Sequence, residues 1–238
     1  MGFLTYRIDA EELLDRTDND PAELVANLRD IQTVNRLVGG TATVLRHLPG
    51  LVCHVPRGRP VEMLDLATGS GDIPREVVRW AARNARPLRL IVTDLSPQIL
   101  DEARRTLADV PGVSYAVWDA RAVPLPDRSC DIVLCSLALR HFAPDDAVRV
   151  LREMDRLCRT GFIVNDIRRC APGYLAAWTV SRLATRNRLT RHDMPLSVRR
   201  AYTPHELRDL LHEAGIGDAA VTTHPLFRMA AVRRKIDA

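Results

Sequence analysis

The chain has 238 residues, of which 46% are hydrophobic and 27% are charged. This length and balance fit one folded domain and exclude an extensively disordered chain. The formal net charge is +4, and every cationic residue except Lys235 is an arginine. The arginines alternate with acids and form no dense basic block, which is typical of solvated helix faces. We therefore predict no nucleic-acid partner.

The first residues, MGFLTYRIDAEELLDRTDND, turn acidic early and lack the basic and apolar regions of a signal peptide. No uninterrupted apolar run reaches the roughly 18 residues that a membrane helix needs. The five cysteines show neither a CxxC pair nor zinc-site spacing, and three of them lie in apolar runs. This use of cysteine fits reduced, buried thiols. We predict a cytoplasmic protein without integral membrane association.

Residues 21–48 have helical spacing, with a capping acid at Asp20 and an interruption at Gly39-Gly40. From residue 61 onward, strand patterns alternate with helix patterns. The predicted strands are VEMLDL, LRLIVTDL, GVSYAVWDA, CDIVLCSL and GFIVND, and the predicted helices are 74–85, 97–108 and 144–158. Such alternation predicts a parallel sheet covered by helices on both faces.

The alternation stops at residue 168. Residues 174–186 have the spacing of an amphipathic helix with three large apolar residues on one side, namely Leu175, Trp178 and Leu183. Residues 190–202 contain a proline and are interpreted as a loop. Open α/β sheets bind ligands near the carboxyl ends of their strands, where this region follows. We therefore predict that it covers a substrate pocket.

The end of the chain predicts one more helix and a hairpin. Thr203 and Glu206 have the spacing of a capping box, and Gly215 follows the helix. Two apolar runs then meet at His224-Pro225. Together the patterns predict an α/β fold with a Rossmann-like, seven-stranded, mostly parallel sheet, helices on both faces and a C-terminal antiparallel hairpin. We divide this single predicted domain into an N-terminal helical segment (1–58), a ligand-binding core (60–167), a helical cap insert (168–203) and a last helix with the closing hairpin (204–238).

The stretch VEMLDLATGSGDIP contains a tight glycine turn after the first strand, at Gly69 and Gly71. Pro74 stands where a dinucleotide fingerprint needs its third glycine, and the turn lacks the Gly-Lys-Ser/Thr ending of a Walker A loop. Asp72 would repel a phosphate at the N-terminus of the next helix. The turn therefore predicts a ligand that carries positive charge.

Acids also follow the first three predicted strands. Asp65 ends the first strand, and Asp94 ends the second, where an acid can accept hydrogen bonds from ribose hydroxyls. Asp119 follows the third strand. Each acid also has a structural interpretation: Asp65 caps the turn, Asp94 caps the next helix, although Ser96 is the better cap, and Asp119 is an ordinary loop acid. The glycine turn alone is weak evidence for the family resemblance described next, but its combination with acids at the next two strand ends is strong evidence for it.

The stretch DLATGSG resembles the first motif of class I S-adenosylmethionine-dependent methyltransferases, Asp-x-Gly-x-Gly-x-Gly, with Ala67 at the first glycine position. The motifs cover about residues 60–167, and the overall pattern is similar to the small-molecule and quinone-biosynthesis branch. The resemblance implies S-adenosylmethionine as cofactor, S-adenosylhomocysteine as product, and no metal. It implies cofactor-binding roles for Asp65, Ala67, Gly69, Gly71, Asp94, Leu95, Asp119, Ala120 and Ser136.

His141 follows the fourth predicted strand, where the resemblance places groups that face the reactive methyl. We predict that it is the catalytic base, since histidine suits proton transfer near neutral pH. The alternatives are that it packs against Phe142 or caps the next helix. Candidate substrate residues are Arg140, Asp166, Arg168, His192 and Asp193. A structural Asp166–Arg168 contact and a surface position for the His192–Asp193 pair are the alternatives.

The resemblance implies methylation of a small-molecule acceptor. We predict O-methylation of a phenolic or hydroxyl group of a secondary metabolite. C-methylation of a quinol or phenol ring and non-catalytic binding of S-adenosylmethionine stay open as alternatives. The chain is predicted to be a monomer or a homodimer. Asn35 and Arg36 are candidates to close over the cofactor from the N-terminal helix.

Overall fold

A seven-stranded sheet forms the centre of the computed structural model, which describes residues 2–16 and 18–235. In chain order the elements are α1 (Pro21–Leu37), α2 (Gly40–His47), α3 (Pro49–Val52), β1 (Val61–Leu66), α4 (Asp72–Arg83), β2 (Leu88–Asp94), α5 (Pro97–Thr106), β3 (Val113–Val117), β4 (Cys130–Ser136), α6 (Pro144–Leu157), β5 (Cys158–Ile167), α7 (Ala171–Leu183), α8 (Arg188–Arg200), α9 (Pro204–Glu213), β6 (Ala220–His224) and β7 (Arg228–Arg234). Short 3-10 turns lie at Gly2–Leu4, Leu13–Asp15 and Leu139–His141.

The strand order is β3-β2-β1-β4-β5-β7-β6. Strands β1 to β5 are parallel, and β7 is antiparallel to both of its neighbours. The order of the chain reverses between β1 and β4, so their carboxyl ends form the crevice in which doubly wound sheets bind ligands. This topology confirms the predicted Rossmann-like fold with a closing hairpin.

Helices bury both faces of the sheet. One apolar cluster joins the sheet to α2, α3, α4 and α5 and includes Val77 and Ile132. The other joins it to α6 and α9 and includes Val133 and Leu151. Neighbouring residues of β4 thus belong to opposite clusters, because side chains alternate across a strand. This two-sided burial holds the strand ends in fixed positions.

Three helix caps predicted from the sequence are present. Asp20 accepts hydrogen bonds from the amides of the first turn of α1, and Ser96 caps α5. Thr203 and Glu206 form the reciprocal capping box of α9. Each such cap stabilises the folded protein by about 1 kcal/mol. The three caps fix the starting residues of helices that surround the sheet.

The prediction of a loop over residues 190–202 is wrong, because most of that region is helix α8. Asn187 caps its start, and Pro195 lies inside it. Proline lacks an N–H, so it leaves the carbonyl one turn earlier without its helical partner. That carbonyl, of Arg191, accepts a hydrogen bond of 2.7 Å from Nη1 of Arg182 on α7. The neighbouring helix thus compensates for the proline.

Helix α7 is present, but its large apolar residues face outward. Leu175, Trp178 and Leu183 are 63%, 45% and 83% exposed. The opposite side of the helix carries small residues, including Ala176 and Ala177, which line a cavity. The spacing therefore predicted the helix correctly, whereas the face toward the protein consists of small side chains.

The N-terminal segment packs against the cap. Helices α1 and α8 contact each other, and Asn27 Nδ2 donates a hydrogen bond to Thr190 Oγ1 at 3.0 Å. The backbone amides of Leu13 and Leu14 donate to the two oxygens of Asp193, at 2.8 and 2.9 Å. These contacts place both segments over the ligand crevice. None of the helices in the described ranges is long and apolar enough to cross a bilayer.

Candidate active site

Two cavities meet at the carboxyl ends of β1 and β4. The smaller, of about 180 Å³, carries four carboxylates, and we call it the acidic cavity: Asp15, Asp65, Asp72 and Asp94. The larger, of about 310 Å³, is enclosed mostly by apolar groups of α1, α7, α8 and the β6–β7 turn, and we call it the apolar cavity. Five residues line both cavities: Leu14, Ile31, Asn35, Leu137 and Arg140. Ligands in the two cavities would therefore touch.

The glycine turn forms one wall of the acidic cavity. Gly69 has φ +59°, and a Cβ there would meet no atom within 4 Å, so the backbone is open to a ligand. Gly71 has φ +76°, and its Cβ would lie 3.2–3.3 Å from Leu107 and Ala103 of the α5 region. It caps α4 and permits close helix packing, but it does not line the cavity. Helix α4 thus starts at Asp72 and not at Pro74 as predicted.

Two residues without a glycine's freedom adopt left-handed backbone conformations at this crevice. Ala67 follows β1 with φ +51°, and Leu137 follows β4 with φ +59°. A left-handed conformation costs an L-residue roughly 1–2 kcal/mol. Ala67 occupies the position where the resembled motif has glycine, so the departure noted in the sequence coincides with a strained backbone. Strain of this kind is often concentrated at functional sites.

Asp65 is fully buried at the end of β1, and it lines the acidic cavity. Its Oδ1 has no hydrogen-bond partner within the described residues. Burial raises the pKa of Asp65 to about 7, and the nearby carboxylates of Asp72 and Asp94 add to the rise. A cationic group placed beside it would satisfy the free oxygen and lower the pKa again. Oδ1 is therefore the oxygen of Asp65 that lacks a partner among the described residues, while an interaction with the Thr68 side chain of the turn opposes the rise in the pKa.

Asp94 is placed by the glycine turn. Its Oδ2 accepts from the amide of Gly69 at 3.1 Å, and its Oδ1 accepts from the amide of Ser96 at 3.0 Å. Burial nevertheless raises its pKa. Each carboxylate oxygen retains a second lone pair, so the group can also accept hydrogen bonds from ribose hydroxyls. Ser96, and not Asp94, caps α5.

Of the predicted cofactor residues, five line the acidic cavity: Asp65, Ala67, Gly69, Asp94 and Ser136. The lining excludes Gly71, Leu95, Asp119 and Ala120. Leu95 is 63% exposed, and Ala120 is buried in the core. Arg121 holds the carboxylate of Asp119 through hydrogen bonds of 2.7–3.1 Å and lowers its pKa. The structure therefore does not bring Asp119 to the cavity wall.

Arg140 and Asp166 form a buried pair at the wall between the cavities. Arg140 Nη1 lies 3.2 Å from Asp166 Oδ1, and its backbone amide donates to Asp166 Oδ2 at 3.1 Å. Nη1 of Arg140 also donates a hydrogen bond to the carbonyl of Leu137. Asp166 thus pairs with Arg140 and not with Arg168. Arg140 and Arg168 both line the apolar cavity, whereas Asp166 lies behind it.

His141 lines the acidic cavity and lies between two acids of the N-terminal segment. Its Nδ1 is 3.1 Å from Asp15 Oδ2, and its Nε2 is 4.0 Å from Glu12 Oε2. Burial would raise the pKa of Asp15, but His141 and Arg200 outweigh it and lower the pKa to about 2. An ionised Asp15 favours the tautomer with the proton on Nδ1, which leaves Nε2 to accept a proton. Since Glu12 lines the apolar cavity, Nε2 points to the boundary between the cavities.

The predicted pair His192–Asp193 divides between surface and interior. Nδ1 of His192 lies 2.7 Å from Asp193, but the His192 side chain is 49% exposed. Asp193 is buried, lines the apolar cavity and holds the amides of Leu13 and Leu14. His192 does not line either cavity.

Several site residues were not identified from the sequence. Glu12 and Asp15 come from a short acidic stretch before α1, and Arg228 begins β7. Asn35, which was a candidate, lines both cavities and donates to Asp72 Oδ2 at 3.2 Å; Arg36 is exposed. The acidic run DAEELLD was visible in the sequence, but it did not indicate a role in the site. A loop of this kind covers a site only through tertiary contacts, which the local sequence does not show. In the part of the chain that the structure describes, there is no group of three potential metal ligands.

A doubly wound sheet with an acidic glycine turn, an acid at the next strand end and an antiparallel last strand defines the class I S-adenosylmethionine-dependent methyltransferase fold. Residues 63–161 match the family model described as a methyltransferase domain. The predicted resemblance to this class is thereby confirmed, and the matches support the predicted enzyme class.

The relatives lie in the quinone-biosynthesis branch. The chain is 34% identical over 111 residues to the demethylmenaquinone methyltransferase of Deinococcus radiodurans, which covers 46% of this chain and 42% of that protein. It is 36% identical over 102 residues to the ubiquinone/menaquinone biosynthesis C-methyltransferase UbiE of Acidiphilium cryptum, which covers 42% of this chain and 38% of that protein. The matched part thus spans about two fifths of the length of these relatives.

A solved structure extends the likeness to the fold of most of the chain. The S-adenosylmethionine-dependent methyltransferase from Aquifex aeolicus has a TM-score of 0.61 and 14% identity, and the match covers 90% of this chain and 98% of that one. At this identity the likeness concerns the fold alone. The cap and the N-terminal segment lie outside the matched methyltransferase domain.

The acidic cavity fits S-adenosylmethionine in its chemistry. The ligand carries an ammonium group, a sulfonium and ribose hydroxyls, which are cationic or hydrogen-bond donating. The cavity offers four carboxylates and two further buried oxygens without partners among residues 2–16 and 18–235, Thr68 Oγ1 and Ser136 Oγ. Carboxylates near a cation or a donor form the stronger, charge-assisted hydrogen bonds. Asp65 and Asp94 are therefore the residues best placed to hold the ligand.

Proposed function

We propose that the protein transfers the methyl group of S-adenosylmethionine to a small, largely apolar acceptor that carries an ionisable hydroxyl. The observation that carries this proposal is the shared wall between the acidic and the apolar cavity, at Leu137 and Arg140. When bound, S-adenosylmethionine supplies an electrophilic methyl group and leaves as S-adenosylhomocysteine. An apolar cavity of about 310 Å³ suits a small molecule better than a nucleic acid.

The residues of the chain would contribute alignment and a proton acceptor. Holding two reactants in line supplies roughly 7–11 kcal/mol of the barrier reduction in favourable cases. His141 is our candidate base: Asp15 orients Nδ1, and Nε2 is available to take the hydroxyl proton. Glu12 is the carboxylate between Nε2 and the apolar cavity. Because it also neighbours Arg140 and Arg200, it is better suited to orient His141 than to act as the base.

The names of the similar proteins make a ring carbon the first candidate for the methylated atom. Both relatives described above are quinone methyltransferases, and one is named a C-methyltransferase. The hydroxyl oxygen, which the sequence predicts, is the second candidate. The same deprotonation by His141 activates a phenol at its oxygen and at its ring carbon. In C-methylation the ring carbon must then also lose its own proton to restore the aromatic ring, whereas O-methylation needs no second proton transfer.

Calorimetric titration with S-adenosylmethionine and S-adenosylhomocysteine tests the proposal. We expect wild-type protein to bind both, and Asp94→Ala to lose more than about tenfold in affinity, since one charged hydrogen-bonding group is worth roughly 1.5–3 kcal/mol. Asp101→Ala is the matched control, because Asp101 is exposed on α5 and pairs with Arg104. Failure of folded wild-type protein to bind either ligand would overturn the proposal.

Methyl transfer is then measured with isotopically labelled S-adenosylmethionine and a panel of phenols and quinols. Product analysis by NMR distinguishes a new C–CH₃ bond from a new O–CH₃ bond. Binding of the cofactor without transfer to any acceptor of the panel would favour the non-catalytic alternative. Such a result would contradict the proposed transfer to an acceptor but not the proposed cofactor site.

A further inference from the structure

The apolar cavity contains an excess of guanidinium groups. Arg140, Arg168 and Arg228 line it, and in each of them one buried N–H has no hydrogen-bond partner among the described residues: Nε in Arg140 and Arg168, and Nη1 in Arg228. Buried polar groups are usually hydrogen-bonded, so three unpaired donors in residues that line one cavity indicate a missing hydrogen-bond acceptor. A methyl-accepting molecule bound in the cavity can supply that hydrogen-bond acceptor.

Arg228 is the most deeply placed of the three. It is 2% exposed, and its Nε donates to the carbonyl of Val38 at 3.0 Å. Its guanidinium carbon lies against Gly40, where a Cβ would approach it to 3.6 Å. The group is thereby fixed at the wall of the cavity, and its Nη1 is buried without a hydrogen-bond partner among the described residues. Burial lowers its pKa to about 10, so it is still charged at neutral pH.

Arg168 is the neighbour of Arg228 across the sheet. Ile167 is in register with Arg228, and the amide of Arg168 donates to the carbonyl of Phe227 at 2.8 Å. The two arginines therefore start from adjacent points at one edge of the cavity. Neither forms an ion pair with a carboxylate within residues 2–16 and 18–235, whereas Arg140 pairs with Asp166.

The acids that line the same cavity are already engaged. Glu12 accepts a hydrogen bond of 2.8 Å from Ser197 Oγ and lies within 4.0 Å of Arg140 and Arg200. Asp193 accepts the two amides of the N-terminal segment. These carboxylates thus do not neutralise Arg168 and Arg228. The cavity offers an apolar body with a positively charged edge.

We propose that the acceptor carries a carboxylate, and that Arg228 binds it together with Arg168. A planar guanidinium matches the two oxygens of a carboxylate, and a buried pair of this kind excludes water from the contact. Both arginines line only the apolar cavity, whereas Arg140 lines both cavities. The carboxylate would therefore lie away from the methyl donor, and the reacting hydroxyl would lie at the shared wall. This inference rests on the proposed function, since it names the substrate class of the same site.

A matched pair of probes tests it. We would titrate 6-hydroxy-2-naphthoate and its methyl ester, which differ in the charge of the group to be recognised and by one methyl group, in the presence of saturating S-adenosylhomocysteine. We expect wild-type protein to bind the carboxylate at least about tenfold more tightly than the ester, as loss of a buried charged hydrogen bond implies. Arg228→Gln should abolish the preference, and Arg228→Lys should retain part of it. Arg83→Gln is the control, because Arg83 is exposed at the end of α4.

The outcomes separate this inference from the proposed function. Equal affinity for the two probes, no binding of either at millimolar concentration, or a preference that persists in both Arg228→Gln and Arg168→Gln would overturn the carboxylate site. In each of those cases, retained binding of S-adenosylhomocysteine would leave the methyltransferase proposal standing. If Arg228→Gln does not fold, Arg168→Gln and Arg228→Lys provide the same comparison of carboxylate with ester.

Discussion

The acidic cavity and the apolar cavity share a wall but are built in different ways. The acidic cavity is formed largely by the turn after β1 and the ends of β1, β2 and β4, with residues such as Asp65, Gly69 and Asp94, and the N-terminal segment and α1 complete it. The apolar cavity is formed by the N-terminal segment, α1, α7, α8 and the hairpin, which are far apart in the sequence. The first uses carboxylates, of which Asp65 and Asp94 have a pKa raised by burial, and the second uses arginines.

This difference separates two kinds of specificity. The turn and the strand ends lie within residues 63–161, which match the methyltransferase domain. Most of the apolar lining lies outside that range. Changes in acceptor preference can therefore arise in the surrounding helices while the sheet keeps its ligand. The predictions below test whether the two cavities are as separable as this geometry indicates.

The largest effect is expected where the cavities meet. His141→Gln should lower the rate of methyl transfer by roughly 10²–10⁴-fold, the usual contribution of a general base. The affinity for S-adenosylhomocysteine should change far less, because Asp65 and Asp94 remain. Single-turnover assays with a phenol or quinol that the wild-type protein methylates would measure the rate. His205→Gln, on the exposed face of α9, is the control. Unchanged turnover in His141→Gln would show that another group removes the hydroxyl proton.

The next effect isolates the acidic cavity. Asp65→Asn should weaken S-adenosylmethionine binding at pH 8 by roughly 10–100-fold, since a charged hydrogen bond is replaced by a neutral group. In the wild type, affinity should fall as the pH decreases through about 7, where Asp65 takes up a proton. Calorimetry between pH 6 and pH 8 would measure both. A wild-type affinity that does not change over this range would contradict the assignment.

The apolar cavity has its own test at Asp193, whose oxygens hold the amides of Leu13 and Leu14. In Asp193→Asn the amide nitrogen replaces one acceptor, so we expect a loss of about 1–3 kcal/mol in the free energy of unfolding. Urea unfolding would measure the loss, and hydrogen exchange at the two amides would locate it. His192→Ala leaves both bonds in place and should have a smaller effect. Unchanged exchange at these amides would separate Asp193 from the N-terminal segment.

Asp65 should also affect the stability of the protein without ligand, in the direction opposite to its role in binding. Its pKa is raised from 3.8 to about 7 on folding, so the folded state binds the proton more tightly. Stability from this group is therefore present at low pH and is lost as the pH rises from about 4 through 7. Asp65→Asn should thus be more stable than wild type at pH 8, and the gain should be absent near pH 4. A loss of stability at both pH values would show that Asp65 supports the fold.

The smallest effect concerns the left-handed residue of the turn. Ala67→Gly should relieve a conformation that costs roughly 1–2 kcal/mol, while the greater freedom of glycine in the unfolded chain offsets about 0.5–1 kcal/mol. We expect a small rise in Tm, measured by scanning calorimetry, and little change in cofactor affinity. Ala82→Gly, within helix α4, should lower Tm instead. A lower Tm for Ala67→Gly would mean that its methyl group contributes packing.

The sequence predicts the acidic cavity better than the apolar one, for a physical reason. The acidic cavity uses residues at or just after strand ends, such as Asp65, Gly69 and Asp94. Parallel strands bring their carboxyl ends to one edge of the sheet regardless of the conformation of the loops. Asp119 follows the same rule, but a local contact with Arg121 takes its carboxylate away from the cavity. Local pattern predicts the position of such a residue but not a competing partner.

The apolar cavity depends on contacts between distant segments. The hydrogen bond from the Leu13 amide to Asp193, in the wall of this cavity, joins residues 180 positions apart, and no periodicity in the sequence predicts it. The loop predicted over residues 190–202 failed for the same reason, since Pro195 is accommodated by a side chain of α7. Arg228 begins a strand of the hairpin, and nothing in its neighbours in the sequence indicates that its guanidinium reaches a cavity.

The short stretch before α1 touches both cavities, with Leu14 in the wall of each and Asp15 beside His141. Binding in one cavity that orders this stretch lowers the entropy loss for binding in the other. Such coupling is reciprocal, so an acceptor that tightens the methyl donor is itself tightened by the same factor. Release of the methylated product would then lower the affinity for S-adenosylhomocysteine as well. Product release would thus begin with the departure of the methylated molecule.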